Sequence, residues 1–198
     1  MQGLTVSGGG LNPGAMVLWN ESTGSIEDCI ITDDTPLDGV QSGQGIAVDG
    51  SSGTTELDII NTEISGFHKN GVDIVDGNGA TTGSTAEITV NIAGGIITGA
   101  GNTDVTAQNG IVFWDRAGGI LSGSVMEVEF IGLYYDGTEV SFAINDYRSN
   151  RALEISIRDC TYDNVEGEAY PVLKADVDDD YDENTPFFGV SSFKSINE

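Results

Sequence analysis

Positive charge is what this sequence most lacks. Of 198 residues, 7 are Lys or Arg against 32 Asp or Glu, leaving a formal charge of -25. Such a surface repels the phosphates of nucleic acid, so no nucleic-acid partner is expected. It also repels polyanionic polysaccharide unless a divalent cation bridges the two. The acids either coat a solvated surface, as in proteins of salty environments, or supply paired carboxylates for a cation such as Ca²⁺. No run of about 18 apolar residues occurs, so no membrane span is expected. The opening MQGLTVSGGG has neither a basic patch nor an apolar core, so no secretory leader is visible. A secreted form would have lost its leader or be an excised domain. With 2 Cys and 1 His, there is no zinc-spaced cluster. No Ser/His/Asp arrangement or phosphate loop appears either. Helical periodicity is absent throughout.

What is present is glycine, 28 residues of it, and a repeat. Five segments begin with a small residue and then alternate with the period of a strand. They are AMVLWN from Ala15, GIAVDG from Gly45, GVDIVD from Gly71, GIVFWD from Gly110 and SFAIND from Ser141, starting 30, 26, 39 and 31 residues apart. Met16, Ile46, Val72, Ile111 and Phe142 then point inward, as do Leu18, Val48, Ile74, Phe113 and Ile144. A second set aligns as IEDCII, IINTEI, IAGGII, VEFIGL and IRDCTY, beginning at Ile26, Ile59, Ile92, Val128 and Ile157. Cys29 and Cys160 share one of its columns, four coils apart, too far to bridge within one chain. Turn-rich stretches of varying length, such as DGNGATTGSTA, separate the strands. LTVSG near the start reads as the remnant of a preceding coil. An uncapped solenoid end exposes strand edges, so an oligomer or a longer parent chain is expected.

Between about Gly14 and Leu173 this pattern resembles the parallel β-helix repeat family of the pectate-lyase-like superfamily, most closely along AQNGIVFWDRAGGILSGSVMEVEFIGLYYDG. The resemblance implies an all-β, right-handed parallel β-helix of about five coils, with long loops on its flanks. Residues 1–173 would form the solenoid, and residues 174–198 an acidic C-terminal tail packing on the last coil. The superfamily contains lyases, hydrolases, epimerases, phage tailspikes and non-catalytic surface proteins. The repeat therefore implies a fold rather than a reaction. Its lyases use an Arg or Lys base and often Ca²⁺ held by acids. Arg116, Arg148, Lys69 and His68 lie near the turns but match no lyase motif.

With the inward columns fixed, one outward column reads Trp19, Asp49, Val75, Trp114 and Asn145. Exposed indoles on a flat sheet stack on sugar rings, and neighbouring polar groups bind hydroxyls. Trp19, Trp114, Asn145 and Arg116 are thus the sugar-binding candidates, unless loops fold over that face. The ligand would be a neutral or weakly charged glycan, because the field repels anions. Asp49, Asp73, Asp76 and Asp115 are the catalytic candidates. Stacked turn acids sit roughly 5 Å apart and the diagonal pair Asp49/Asp73 roughly 7–8 Å apart, near the spacings of retaining and inverting glycosidases. Turn acids also bind local backbone N–H groups, the structural alternative. Asp176, Asp178, Asp180 and Asp182 alternate in KADVDDDYDEN as a candidate metal site with Ca²⁺ as cofactor, although the segment lacks the glycine and final acid of an EF-hand. The leading expectation is an extracellular or cell-surface carbohydrate-interacting domain. The alternatives are a structural module of a surface or fibre protein and a small lyase or glycoside hydrolase.

Overall fold

In the computed structural model, residues 1–8, 14–37, 39, 42–77, 79–80, 82–137, 140–149, 153, 155–166 and 193–195 are described. They contain strands and no helix. A short β1 (Thr5–Ser7) precedes a first rung of β2 (Ala15–Asn20), β3 (Thr23–Glu27) and β4 (Ile30–Thr32). The second rung is β5 (Gln44–Gly50), β6 (Thr54–Ile60) and β7 (Glu63–Ser65). The third is β8 (Asn70–Asp76), β9 (Glu87–Ala93) and β10 (Ile96–Thr103). The fourth is β11 (Asn109–Trp114), β12 (Ile120–Met126) and β13 (Glu129–Tyr135). A shortened fifth is β14 (Ile144–Asp146), β15 (Ile155–Arg158) and β16 (Cys160–Asp163), followed by β17 (Phe193–Ser195).

The rungs stack as a parallel β-solenoid of about four turns. Sheet I holds β2, β5, β8, β11 and β14; sheet II holds β3, β6, β9, β12 and β15; sheet III holds β1, β4, β7, β10, β13, β16 and β17. The repeat therefore has three strands, where the sequence reading separated two. The second alignment set spans a corner. Its Ile26 column closes sheet II and its Ile31 column opens sheet III. At that corner Asp28, Asn61, Gly94, Glu127 and Asp159 all take positive φ, between 47° and 67°. The first four each donate their N–H to a carbonyl of the next rung, which holds this otherwise disfavoured conformation. Next to it run Cys29, Thr62, Gly95, Val128 and Cys160; both cysteines are buried and free.

The core is a stack of Ile, Val, Leu and Phe along the solenoid axis, with Phe67, Phe113 and Phe130 among its largest members. Phe130 lies flat on Tyr162 of the next rung, ring centroids 5.6 Å apart. Where sheet I begins, Gly45, Gly71 and Gly110 form a column. A Cβ on any of them would come within 3 Å of a backbone oxygen in the next rung. This is why a small residue recurs before each apolar run.

That column also corrects the register at both ends. Met16, not Ala15, stands beside Gly45, and Ala143, not Ser141, beside Gly110. Val17 and Trp19 consequently face inward and Leu18 is 66% exposed, the reverse of the sequence reading. On the fifth rung Ile144 joins the column of Ile111, not that of Phe113, and Asp146 takes the latter place. On the fourth rung the corner segment is VMEVEF, three residues before VEFIGL: Val125 pairs with Ile92 and Phe130 with Ile97. β1 pairs in register with β4, so LTVSG does supply a strand below the first rung. β17 pairs with β16 beyond the last.

Candidate functional site

Strand alternation places every second residue of sheet I on the outer face. With the register fixed, one outward column reads Asn20, Asp49, Val75 and Trp114. Tyr147 extends it, its N–H bonded to the carbonyl of Phe113. The neighbouring column reads Leu18, Ala47, Asp73, Val112 and Asn145. Val112 and Asn145 are buried, whereas Trp114 is 43% and Tyr147 38% exposed. The open part of this face thus lies along the Trp114 column.

Trp114 and Tyr147 form a tilted pair, centroids 6.3 Å apart and planes at 57°. The Arg116 guanidinium lies over the Trp114 ring, 5.4 Å from its centroid, a cation–π contact. Asp73 faces Val112, so Trp114, two residues on, is its diagonal neighbour on the next strand. Asp49 is its diagonal neighbour on the other side. These side chains, with Val75 between Asp49 and Trp114, make one continuous patch of two carboxylates, an apolar step, two aromatic rings and a guanidinium.

Asp73 is the electrostatic centre of the patch. A hydrogen-bonded relay leads to it: the Phe142 N–H donates to Asn109 Oδ1 (3.2 Å), Asn109 Nδ2 to Asn70 Oδ1 (3.1 Å), and Asn70 Nδ2 to Asp73 Oδ1 (3.1 Å). Burial nevertheless raises the Asp73 carboxyl to about 6, and the charge of Asp49 pushes the same way, against the hydrogen bonds from Asn70 and Gln44. A carboxyl raised above its unfolded value stabilises the fold fully below pH 4 and loses that contribution as pH climbs through 6. Asp73→Asn should therefore match the wild type near pH 4 and exceed it at pH 8 by about 1–2 kcal/mol, the linkage being discounted for partial solvent exposure. Urea unfolding at both pH values checks this, and parallel pH profiles for the two proteins would refute it.

The turn acids do something else. Asp76 is fully buried, its two carboxylate oxygens accepting the N–H groups of Ala117 (2.8 Å) and Gly119 (2.5 Å) from the next rung's loop. Asp115 accepts the Ser149 N–H (2.7 Å) and hydroxyl (2.9 Å) in the same way one rung higher. Asp146, on the fifth rung, points inward and pairs with Arg148 through two bonds of 2.8 and 3.0 Å. Arg148 also donates to the carbonyls of Leu121 and Leu153. Each acid thus fixes a loop at the corner between sheets I and II, and the loops held by Asp115 and Arg148 flank Trp114 and Tyr147.

Of the sugar-binding candidates, Trp114 and Arg116 meet at the exposed patch. Trp19 does not: it lies in the inner column below Val48, its ring against Gly24 and its Nε1 donating to the Ser22 carbonyl. Asn145 sits in the adjacent column, 1% exposed, and its Oδ1 has no hydrogen-bond partner among the described residues. Of the catalytic candidates, Asp49 and Asp73 share the patch, while Asp76 and Asp115 hold loops. His68, one of the residues near the turns, is buried. Asp176, Asp178, Asp180 and Asp182 lie outside the described residues. Among the described residues, no group of three or more His, Cys, Asp or Glu side chains is disposed to hold a metal ion. Tyr147, Asn70 and Gln44 escaped the sequence reading. Aligning Ile144 with Ile111 would have put Tyr147 beside Trp114.

No family model, curated protein or solved structure matches this chain.

Proposed function

We propose that this chain is a carbohydrate-interacting β-solenoid of the pectate-lyase-like kind, working outside the cell or at its surface, with the Trp114 patch as its binding site. The observation that carries this reading is the exposed Trp114–Tyr147 pair on an otherwise regular parallel sheet. Aromatic rings left in water at a fixed angle offer apolar area to the flat face of a sugar. The half-buried carboxylates beside them offer acceptors to its hydroxyls. Trp114→Ala should cost the fold under about 1 kcal/mol, because the ring is not a core residue. It should weaken binding on a glycan array at least tenfold. Retained binding would remove the patch from the reading, and a melting drop typical of a core deletion would assign Trp114 to packing.

One observation favours a hydrolase as the second reading. Asp73, raised towards neutrality, lies diagonal to Asp49 at roughly 7–8 Å, a spacing suited to a general acid and a water-activating base. Release of reducing ends that disappears in both Asp49→Asn and Asp73→Asn would establish it. Binding without turnover would leave a non-catalytic module.

A further inference from the structure

We infer that the glycan taken by this patch carries free amino groups, as a glucosamine oligomer does, and that its ammonium charge is read by Asp73 beside Trp114. The inference rests on the carbohydrate reading above and narrows its ligand class. Three observations converge on it. First, the indole already holds a cation: Arg116, exposed, lies over Trp114. Among the described residues, this ring is its only recorded partner, although the chain has 32 acids. A ring face that draws a guanidinium draws an ammonium by the same quadrupole attraction. Second, Asp73 is diagonal to that ring, and the groups that bear on it are the neutral amides of Asn70 and Gln44 and the like charge of Asp49. Beside the described residues, an incoming ammonium would be the first opposite charge to bear on this carboxylate. Third, the whole molecule, at -25, steers cations toward every face and repels uronates and sulfates.

The geometry fits a chain laid across the strands. Asp73 and Trp114 are one rung apart, roughly 5 Å along the axis, and Asp49 is one rung further. A ring stacked on Trp114 would thus present the amino group of its neighbour to Asp73, with Val75 beneath the step between them. An N-acetylated unit would bring a neutral amide to the same place and gain no ion pair.

The test is calorimetric titration with three hexamers of like backbone: fully deacetylated glucosamine hexamer, its N-acetylated counterpart, and cellohexaose. The proteins are the wild type, Trp114→Ala, Asp73→Asn, and Glu63→Gln as a charge-matched control on the exposed face of sheet III. The glucosamine hexamer should bind about tenfold or more tightly than the other two. Asp73→Asn should erase that preference, lowering the glucosamine hexamer to the affinity of its N-acetylated counterpart, Glu63→Gln should change affinity less than about twofold, and Trp114→Ala should weaken all three. Equal binding of all hexamers, still lost in Trp114→Ala, would overturn the inference and leave the carbohydrate reading standing. Equal losses in Asp73→Asn and Glu63→Gln would overturn it too, because bulk charge alone would then explain the preference. Binding of none of the hexamers would overturn the inference, and the wider array would then decide the reading.

Discussion

Asp76→Ala should destabilise the solenoid by about 3–5 kcal/mol. The side chain is fully buried at the end of β8, and both its oxygens accept backbone N–H groups from the loop of the next rung, those of Ala117 and Gly119. Truncation leaves two donors without partners inside a packed corner, and each such group costs about 1–3 kcal/mol. Asp76→Asn keeps one oxygen acceptor and should lose roughly half as much. Urea unfolding measures both. A cost below about 1 kcal/mol for the alanine variant would mean that the loop finds other partners, and would reopen a catalytic role for this acid. Asp115, which holds Ser149 one rung higher, should behave similarly but less severely, since one of its partners is a hydroxyl that can turn to water.

The solenoid was legible in the sequence because stacking imposes a column on every rung. Ile46, Val72 and Ile111 must all pack on the axis, and Gly45, Gly71 and Gly110 must all let the next rung's backbone approach. In sheet I the middle rungs therefore aligned correctly. At the two ends of sheet I the columns continue, but with residue types that hide the register. Met16 occupies the glycine column below Gly45, and Asp146 occupies the apolar column above Phe113. Half of the site was lost with those registers. Trp114 was found outside, but its companion is Tyr147 one rung up rather than Trp19 three rungs down. The third sheet was missed for a different reason. The bend between sheets II and III rests on one residue in positive φ on every rung but the third, where Gly94 and Gly95 share it, and only one of the five aligned positions, Gly94, is a glycine. Asp28, Asn61 and Asp159 tolerate that region better than most residues but are common elsewhere, and Glu127 gives no sign of it; the bond from the N–H of Asp28, Asn61 and Glu127 to the next rung exists only once the stack has formed.

Arg148→Met should cost about 3–5 kcal/mol, and its effect should reach the site. Asp146 ends an inner column that begins with Trp19 and runs through Val48, Ile74 and Phe113, so a carboxylate lies where each rung below has an apolar side chain. The charge is tolerated because Arg148, itself buried, grips both of its oxygens and turns the rest of its guanidinium to the carbonyls of Leu121 and Leu153. Removing the arginine side chain takes the countercharge from a buried carboxylate and the donors from two carbonyls together, and breaking a buried pair from one side is the expensive way to break it. Replacing both residues, as Asp146→Leu with Arg148→Met, takes the stranded charge away as well and continues the apolar column by one more rung. The double variant should therefore recover at least half of the loss, a coupling of about 2 kcal/mol or more in the double-mutant cycle. Tyr147 lies between the two partners in sequence, so the single variant should also loosen its contact with Trp114 and weaken the near-ultraviolet circular dichroism of that pair. Additive losses in the cycle would show that Arg148 acts through its two carbonyls alone, and would deny the ion pair its place as the cap of the core.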